Sequence, residues 1–254
     1  MDLASPTPPV DTPFMRLGSI TIDPRYHGPP ATGNGGYVCG RLAHFVDHPL
    51  AVRLQVPPPL DVALKARQTD EGIALMRDDV EVARARRDAP RVDVPPPPTA
   101  EQAEVAAKIF VGLHSHPYPG CFVCGPDRED GDGLRIFPGP VTGRDLVAST
   151  WTPAANVSNG DGHVAPEFLW AALDCPGGYA FPQTRERAAV LGEMCADVQG
   201  APRIGEPCVL IGWQISADGR RHFTGTAIFG ESGSCLAVAR ATWFEVRGDS
   251  TAPQ

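Results

Sequence analysis

Apolar positions along the chain fall into two successive sets with the same order. In the first, a glycine-rich turn leads into GYVCGRLAHFV at 36–46, where apolar spacing predicts a helix. Short apolar or alternating runs follow at 51–56, 60–67, 72–76 and 80–86, separated by proline, glycine and aspartate, and these predict four strands. In the second set, 134–137 and 146–151 read as strands and APEFLWAALDC at 165–175 as a helix. Four more strands are predicted at 188–196, 207–215, 221–229 and 236–246. The last strands also match in letters, Glu81-Val82-Ala83-Arg84-Ala85-Arg86 beside Ala237-Val238-Ala239-Arg240-Ala241-Thr242. A helix followed by four strands, twice, predicts an internal duplication.

Punctuation places the boundary. Pro95 to Pro98 offer no backbone donors and predict an extended spacer, so 14–88 forms a first module, 89–104 a proline-rich linker and 105–247 a second module. The Pro-, Ser- and Asp-rich residues 1–13 and the stretch 248–254 are expected to remain as tails. With 254 residues, 42% hydrophobic side chains and a net charge of -8, the composition is that of a globular protein and argues against a nucleic-acid partner. No apolar run is long enough for a membrane-spanning helix, and 1–13 lacks the basic and apolar regions of a secretory signal, so a cytoplasmic location is expected. Seven cysteines, an odd number dispersed along the chain, are expected to be reduced.

Phe168, Leu169, Trp170, Ala171, Ala172 and Leu173 are consecutive, so that helix is apolar all round and expects burial on every side. A curved antiparallel sheet wrapped around a central helix provides such burial. Two of them in one chain give an α+β tandem, or double, hotdog. The chain resembles the hotdog-fold acyl-CoA thioesterase superfamily at three stretches: Gly33-Asn34-Gly35-Gly36-Tyr37-Val38-Cys39-Gly40, Cys121-Phe122-Val123-Cys124-Gly125 with Gly133-Leu134, and Leu169-Trp170-Ala171-Ala172-Leu173-Asp174. In the phenylacetate-type branch a polar residue and two glycines open the central helix, and a carboxylate lies nine positions after the polar residue. The resemblance implies a site that pairs the glycines of one hotdog with the carboxylate of the other.

Each half here keeps part of that pattern. The first has Asn34-Gly35-Gly36 in place of the usual histidine-glycine-glycine, and Ala43 nine positions after Asn34. The second has Ala165-Pro166-Glu167 in place of the glycines, and Asp174 nine positions after Ala165. Donors from one half and acid from the other make one composite site, while the pseudo-equivalent site is expected to be dead. Amides of Gly35 and Gly36 at a helix start suit a developing oxyanion, and the missing side chains admit a bulky thioester. Asp174, a lone carboxylate in an apolar helix, is the expected base on water or direct nucleophile. Asn34 joins the expected catalytic set, and Asn34, Gly36 and Tyr37 are the expected substrate contacts.

The larger double-hotdog thioesterases add a threonine and a glutamine facing their aspartate. Thr242 and Glu193 stand nearest those strand positions here, and neither is assigned a role. His114, His116, Cys121 and Cys124 offer four metal-ligand types, but all crowd one loop, whereas structural zinc sites draw pairs from separate segments. No metal and no cofactor are therefore expected. Arg84, Arg86 and Arg87 are candidates for CoA phosphates but read as a solvated edge. Two functions stay open: hydrolysis of acyl-CoA or a related thioester, and non-catalytic acyl-ligand binding. Acyl-chain length, CoA against carrier-protein thioester, and homo-oligomer formation by the fused chain stay open as well.

Overall fold

The strands that follow each helix hydrogen-bond into one antiparallel sheet. The structure, a computed structural model, describes residues 16–185 and 188–246, so the expected tails at 1–13 and 248–254 lie outside it. Its first half contains β1 (Arg16–Thr21), α1 (Gly35–Ala43), β2 (Leu50–Leu54), β3 (Ala63–Thr69), β4 (Gly72–Arg77) and β5 (Val80–Arg87). The second contains α2 (Ala100–Lys108), β6 (Gly139–Pro140), β7 (Val147–Trp151), α3 (Pro166–Ala172), α4 (Asp174–Gly178), β8 (Ala189–Val198), β9 (Cys208–Asp218), β10 (Arg221–Phe229) and β11 (Cys235–Glu245).

Lateral order in the sheet is β1-β3-β4-β5-β2-β8-β11-β10-β9-β7-β6. Read outward from the middle, the first half runs β2, β5, β4, β3, β1 and the second runs β8, β11, β10, β9, β7. The two matching arginine-containing strands, β5 and β11, therefore occupy matching places. The halves meet where β2 pairs with β8, Leu50 opposite Ala196 through Arg53 opposite Glu193. Val52, Met194 and Ala196 on this seam are buried, and so are Ala83 and Ala85 of β5, so the alternation read in the sequence faces the core.

The helices lie against this sheet. Helix α1 packs on β2 and β8, and α4 contacts β7 through β11. Asn34 caps α1 with its side chain, accepting from the Tyr37 amide at 2.9 Å. The helix expected over 165–175 is divided at Leu173 into α3 and α4. Pro176 explains the division, because it has no N–H for the Ala172 carbonyl. Three further elements depart from expectation. Residues 134–137 are not a strand: Arg135 has φ +53, and the amides of Leu134 and Ile136 bond to the carbonyls of Phe122 and Val123 instead. The expected linker 89–104 ends in helix, since Thr99 and Gln102 form a reciprocal capping box at the start of α2, which packs on β6, β7 and β9. Strand β1 was absent from the sequence pattern and pairs with β3.

Helix α1 crosses α3 antiparallel and very close. A Cβ on Gly36 would lie 2.5 Å from the Trp170 carbonyl oxygen and 2.7 Å from Asp174 Cβ, and one on Gly40 would lie 2.6 Å from Glu167 Cα. The two glycines, four apart, form one face of α1 that α3 fills backbone to backbone. The expectation that the bare Gly36 admits a substrate is thus corrected, since α3 occupies that space. Among the described residues, no helix is long and apolar enough to cross a membrane.

Gly40→Ala is expected to lower stability by about 1–3 kcal/mol, the usual cost of overpacking a rigid contact. Urea denaturation measures it, and an unchanged midpoint would mean that the helices can part at no cost.

Candidate functional site

Close helix packing brings the first turn of α1 to the junction of α3 and α4. Asp174 Oδ2 accepts from Asn34 Nδ2 at 2.8 Å and from the Gly36 amide at 2.9 Å. Asn34 thus uses both ends of its amide, the oxygen capping α1 and the nitrogen on Asp174, which fixes its orientation. Asp174 is 3% exposed, not half-exposed in a loop as its position before Pro176-Gly177-Gly178 permits. Its other oxygen, Oδ1, is buried without a hydrogen-bond partner among the described residues. Burial pushes the Asp174 carboxyl up to about 7, against the hydrogen bonds from Gly36 and Asn34 that pull it down.

Asn34, Gly35 and Asp174 line a cavity of about 510 Å³ whose wall draws on both halves of the chain. Leu54, Val56 and Pro58 come from the first half, and Leu191, Trp243 and Phe244 from the second. A Cβ on Gly35 would lie 2.9 Å from Leu191 Cδ2, so the cavity wall is close there. Gly36 does not line the cavity, and its amide is committed to Asp174. The Gly35 amide, first of the helix, has no acceptor among the described residues. Of the two expected oxyanion donors, Gly35 alone remains uncommitted.

Tyr37, an expected substrate contact, lies elsewhere. It is 2% exposed, stacks on Tyr26 at 4.3 Å between ring centroids, contacts Phe122 and Phe168, and accepts from Arg41 at its hydroxyl. Its ring faces an aromatic core rather than the cavity. Glu193 and Thr242 pair across β8 and β11 and do not line the cavity; Glu193 also forms an ion pair with Arg86. Arg84 and Arg86 are engaged with Glu81, Glu71 and Asp88, which accords with a solvated edge rather than a phosphate site. At the pseudo-equivalent position Ala165 caps α3 with no side-chain hydrogen bond.

One group of cavity residues was only half visible in the sequence. Cys121 and Cys124 meet Cys175, the residue after Asp174, with all three sulfurs within 4.8 Å of one another. His116 Nε2 is 3.2 Å from Cys124 Sγ and 3.1 Å from the Tyr179 hydroxyl. His114, the other histidine of that loop, is exposed. Cys175 carried no local signal, because it pairs with the loop only through the fold.

No family model and no curated relative matches the chain. Solved structures do. The tesB protein of Mycobacterium avium subs paratuberculosis superposes with a TM-score of 0.60 at 11% identity, covering 92% of this chain and 96% of that one. The chain has the hotdog fold. The E. coli PaaI protein from the phenylacetic acid degradation operon aligns with 41% of this chain and 75% of its own, at 17% identity and a TM-score of 0.38. A thioesterase from Haemophilus influenzae aligns with 47% of this chain and 84% of its own, at 15% identity and a TM-score of 0.41. At 92% coverage the likeness to the tesB protein extends over both halves of this hotdog protein.

Asn34→Ala is expected to cost about 1–2 kcal/mol through the lost helix cap, with a further loss because a buried carboxylate gives up one donor. Chemical denaturation of the two proteins side by side checks this, and a cost below about 0.5 kcal/mol would show that the cap is dispensable.

Proposed function

We propose that the chain is a double hotdog, with modules at 14–88 and 105–247, that hydrolyses acyl thioesters at one composite site between them. The observation that carries this reading is the asymmetry of Asp174, a residue that lines the largely apolar cavity: Oδ2 is held by Asn34 and Gly36, while Oδ1 is buried with no partner among the described residues. A buried carboxylate oxygen without a donor is costly unless something else engages it. A thioester carbonyl carbon, or the water that attacks it, is such a partner.

In this mechanism the thioester carbonyl oxygen accepts from the Gly35 amide, placed at the positive end of α1. Asp174 Oδ1 either takes a proton from water as that water attacks the carbonyl carbon, or attacks the carbon itself. In both routes the carbon–sulfur bond breaks, the thiol leaves with a proton, and water supplies the oxygen of the carboxylic acid. Asn34 and the Gly36 amide hold the carboxylate so that the same oxygen always faces the substrate. The acyl chain occupies the apolar part of the cavity near Leu54, Leu191 and Phe244. Acyl-CoA is the substrate class that we infer, on the resemblance of the Asn34-Gly35-Gly36 and Asp174 stretches.

The test is thiol release from a panel of acyl-CoAs. Asp174→Asn keeps the shape of the site and is expected to reduce turnover by about a hundredfold or more, with a smaller change in substrate affinity. Glu167→Gln, at the pseudo-equivalent helix start where Ala43 offers no acid, is expected to leave turnover within about twofold. Undiminished turnover in Asp174→Asn would overturn the assignment. Tight binding without turnover by the wild type would replace hydrolysis with acyl-ligand binding.

A further inference from the structure

The three buried sulfurs beside Asp174 have no part in the proposed hydrolysis. Cys121, Cys124 and Cys175 are 4%, 2% and 7% exposed, so almost no solvent reaches them. Cys124 Sγ is 3.0 Å and Cys121 Sγ 3.9 Å from Cys175 Sγ. Thiols are weak donors and weak acceptors, so hydrogen bonding among them gives little reason to gather three at one point. Sulfurs bound about 2.3 Å from a tetrahedral zinc ion would be about 3.8 Å apart. The observed separations bracket that value.

The loop has the form that such a site requires. The Gly125 amide donates to the Cys121 carbonyl at 2.9 Å, closing a tight turn over Cys121-Phe122-Val123-Cys124. The sequence objection to zinc was that every candidate ligand lay in one loop. Cys175 removes it by supplying a ligand from α4.

We propose that Cys121, Cys124 and Cys175 bind a soft divalent cation, zinc in the first instance, as three thiolates, with His116 as the nearest fourth ligand. His116 Nδ1 now accepts from the Tyr118 amide at 2.9 Å, which leaves the proton of the neutral ring on Nε2. Coordination through Nε2 therefore requires that proton to move to Nδ1 and the Tyr118 contact to open. The site stands apart from the proposed hydrolysis, because its ligands and its readout are different. Its consequence for the fold is a cross-link: the metal ties the first turn of α4, and so Asp174, to the loop over 121–125.

Metal content tests this directly. The full chain, purified with reductant and without chelator, is expected to carry about one zinc per molecule by mass spectrometry of the digested sample. After stripping and loading with cobalt(II), it is expected to show sulfur-to-cobalt charge-transfer absorption and the strong visible bands of a tetrahedral ion. Cys124→Ser and Cys175→Ser are each expected to hold less than about a tenth of the wild-type metal, while Cys235→Ser, at an exposed cysteine, retains it. His116→Ala is expected to weaken affinity by about tenfold or more, and unchanged affinity would remove His116 from the ligand set. Because the serine variants could unfold, the decisive sample is folded wild type incubated with excess zinc or cobalt and desalted. Failure of that sample to retain metal overturns the site. So does a metal-free protein lighter by two hydrogens with Cys124 and Cys175 in one disulfide-linked peptide, which would make the group a redox pair.

Discussion

The distance between two helix backbones governs this molecule. Gly36 and Gly40 remove the side chains that would hold α1 away from α3, and a Cβ at either would fall within 2.7 Å of the facing helix. At that separation a main-chain amide in the first turn of α1 reaches a carboxylate on the neighbouring helix without any side chain between them. The same contact buries Asp174, raises its pKa and sets Asn34 beside it. A wider crossing would admit water, and the carboxylate would then be an ordinary solvated aspartate.

Burial and hydrogen bonding act on Asp174 in opposite senses, and the balance differs between its two oxygens. Oδ2 has donors on the first half of the chain, whereas Oδ1 has none among the described residues. Desolvation prevails overall, since the carboxyl is pushed up to about 7. Next along the chain, Cys175 turns into the thiol group of Cys121 and Cys124. Two adjacent residues at the break between α3 and α4 thus face two different chemistries, which a continuous helix would also separate by about 100°.

Periodicity and spacing carried much of this into the sequence. The four strands after each helix are visible because one face is apolar, and the lateral equivalence of β5 and β11 follows the shared Val-Ala-Arg-Ala letters. The pairing of Asn34 and Gly36 with Asp174 was implied by the resemblance to the hotdog thioesterases, on the residues at 34–36 and 174, and the antiparallel packing of the helices brings these groups into hydrogen-bond contact. Other features were hidden for physical reasons. Tyr37 follows the glycines in the sequence, but the turn of the helix carries it to the opposite side, against Tyr26 and Phe122. The role of Gly36 was misread because a bare glycine looks the same whether substrate or a helix fills the space. The start of α2 was readable in Thr99 and Gln102, yet the prolines before it dominated the pattern. Cys175 is 51 positions from Cys124, and nothing local marks it as a partner.

The β2–β8 seam has a kinetic and evolutionary consequence. The halves that meet there are tethered through residues 88–99, so each experiences the other at an effective concentration on the order of millimolar, whatever the concentration of the protein. A site whose parts arrive on separate chains dissolves on dilution. Here dilution leaves the pairing of Leu50–Arg53 with Glu193–Ala196 untouched. Tethering also releases the two halves from being copies of each other. In the composite site proposed above, one half does without an acid at Ala43 and the other without glycines at 165–167, since each of these positions belongs to the pair that the proposal leaves unused.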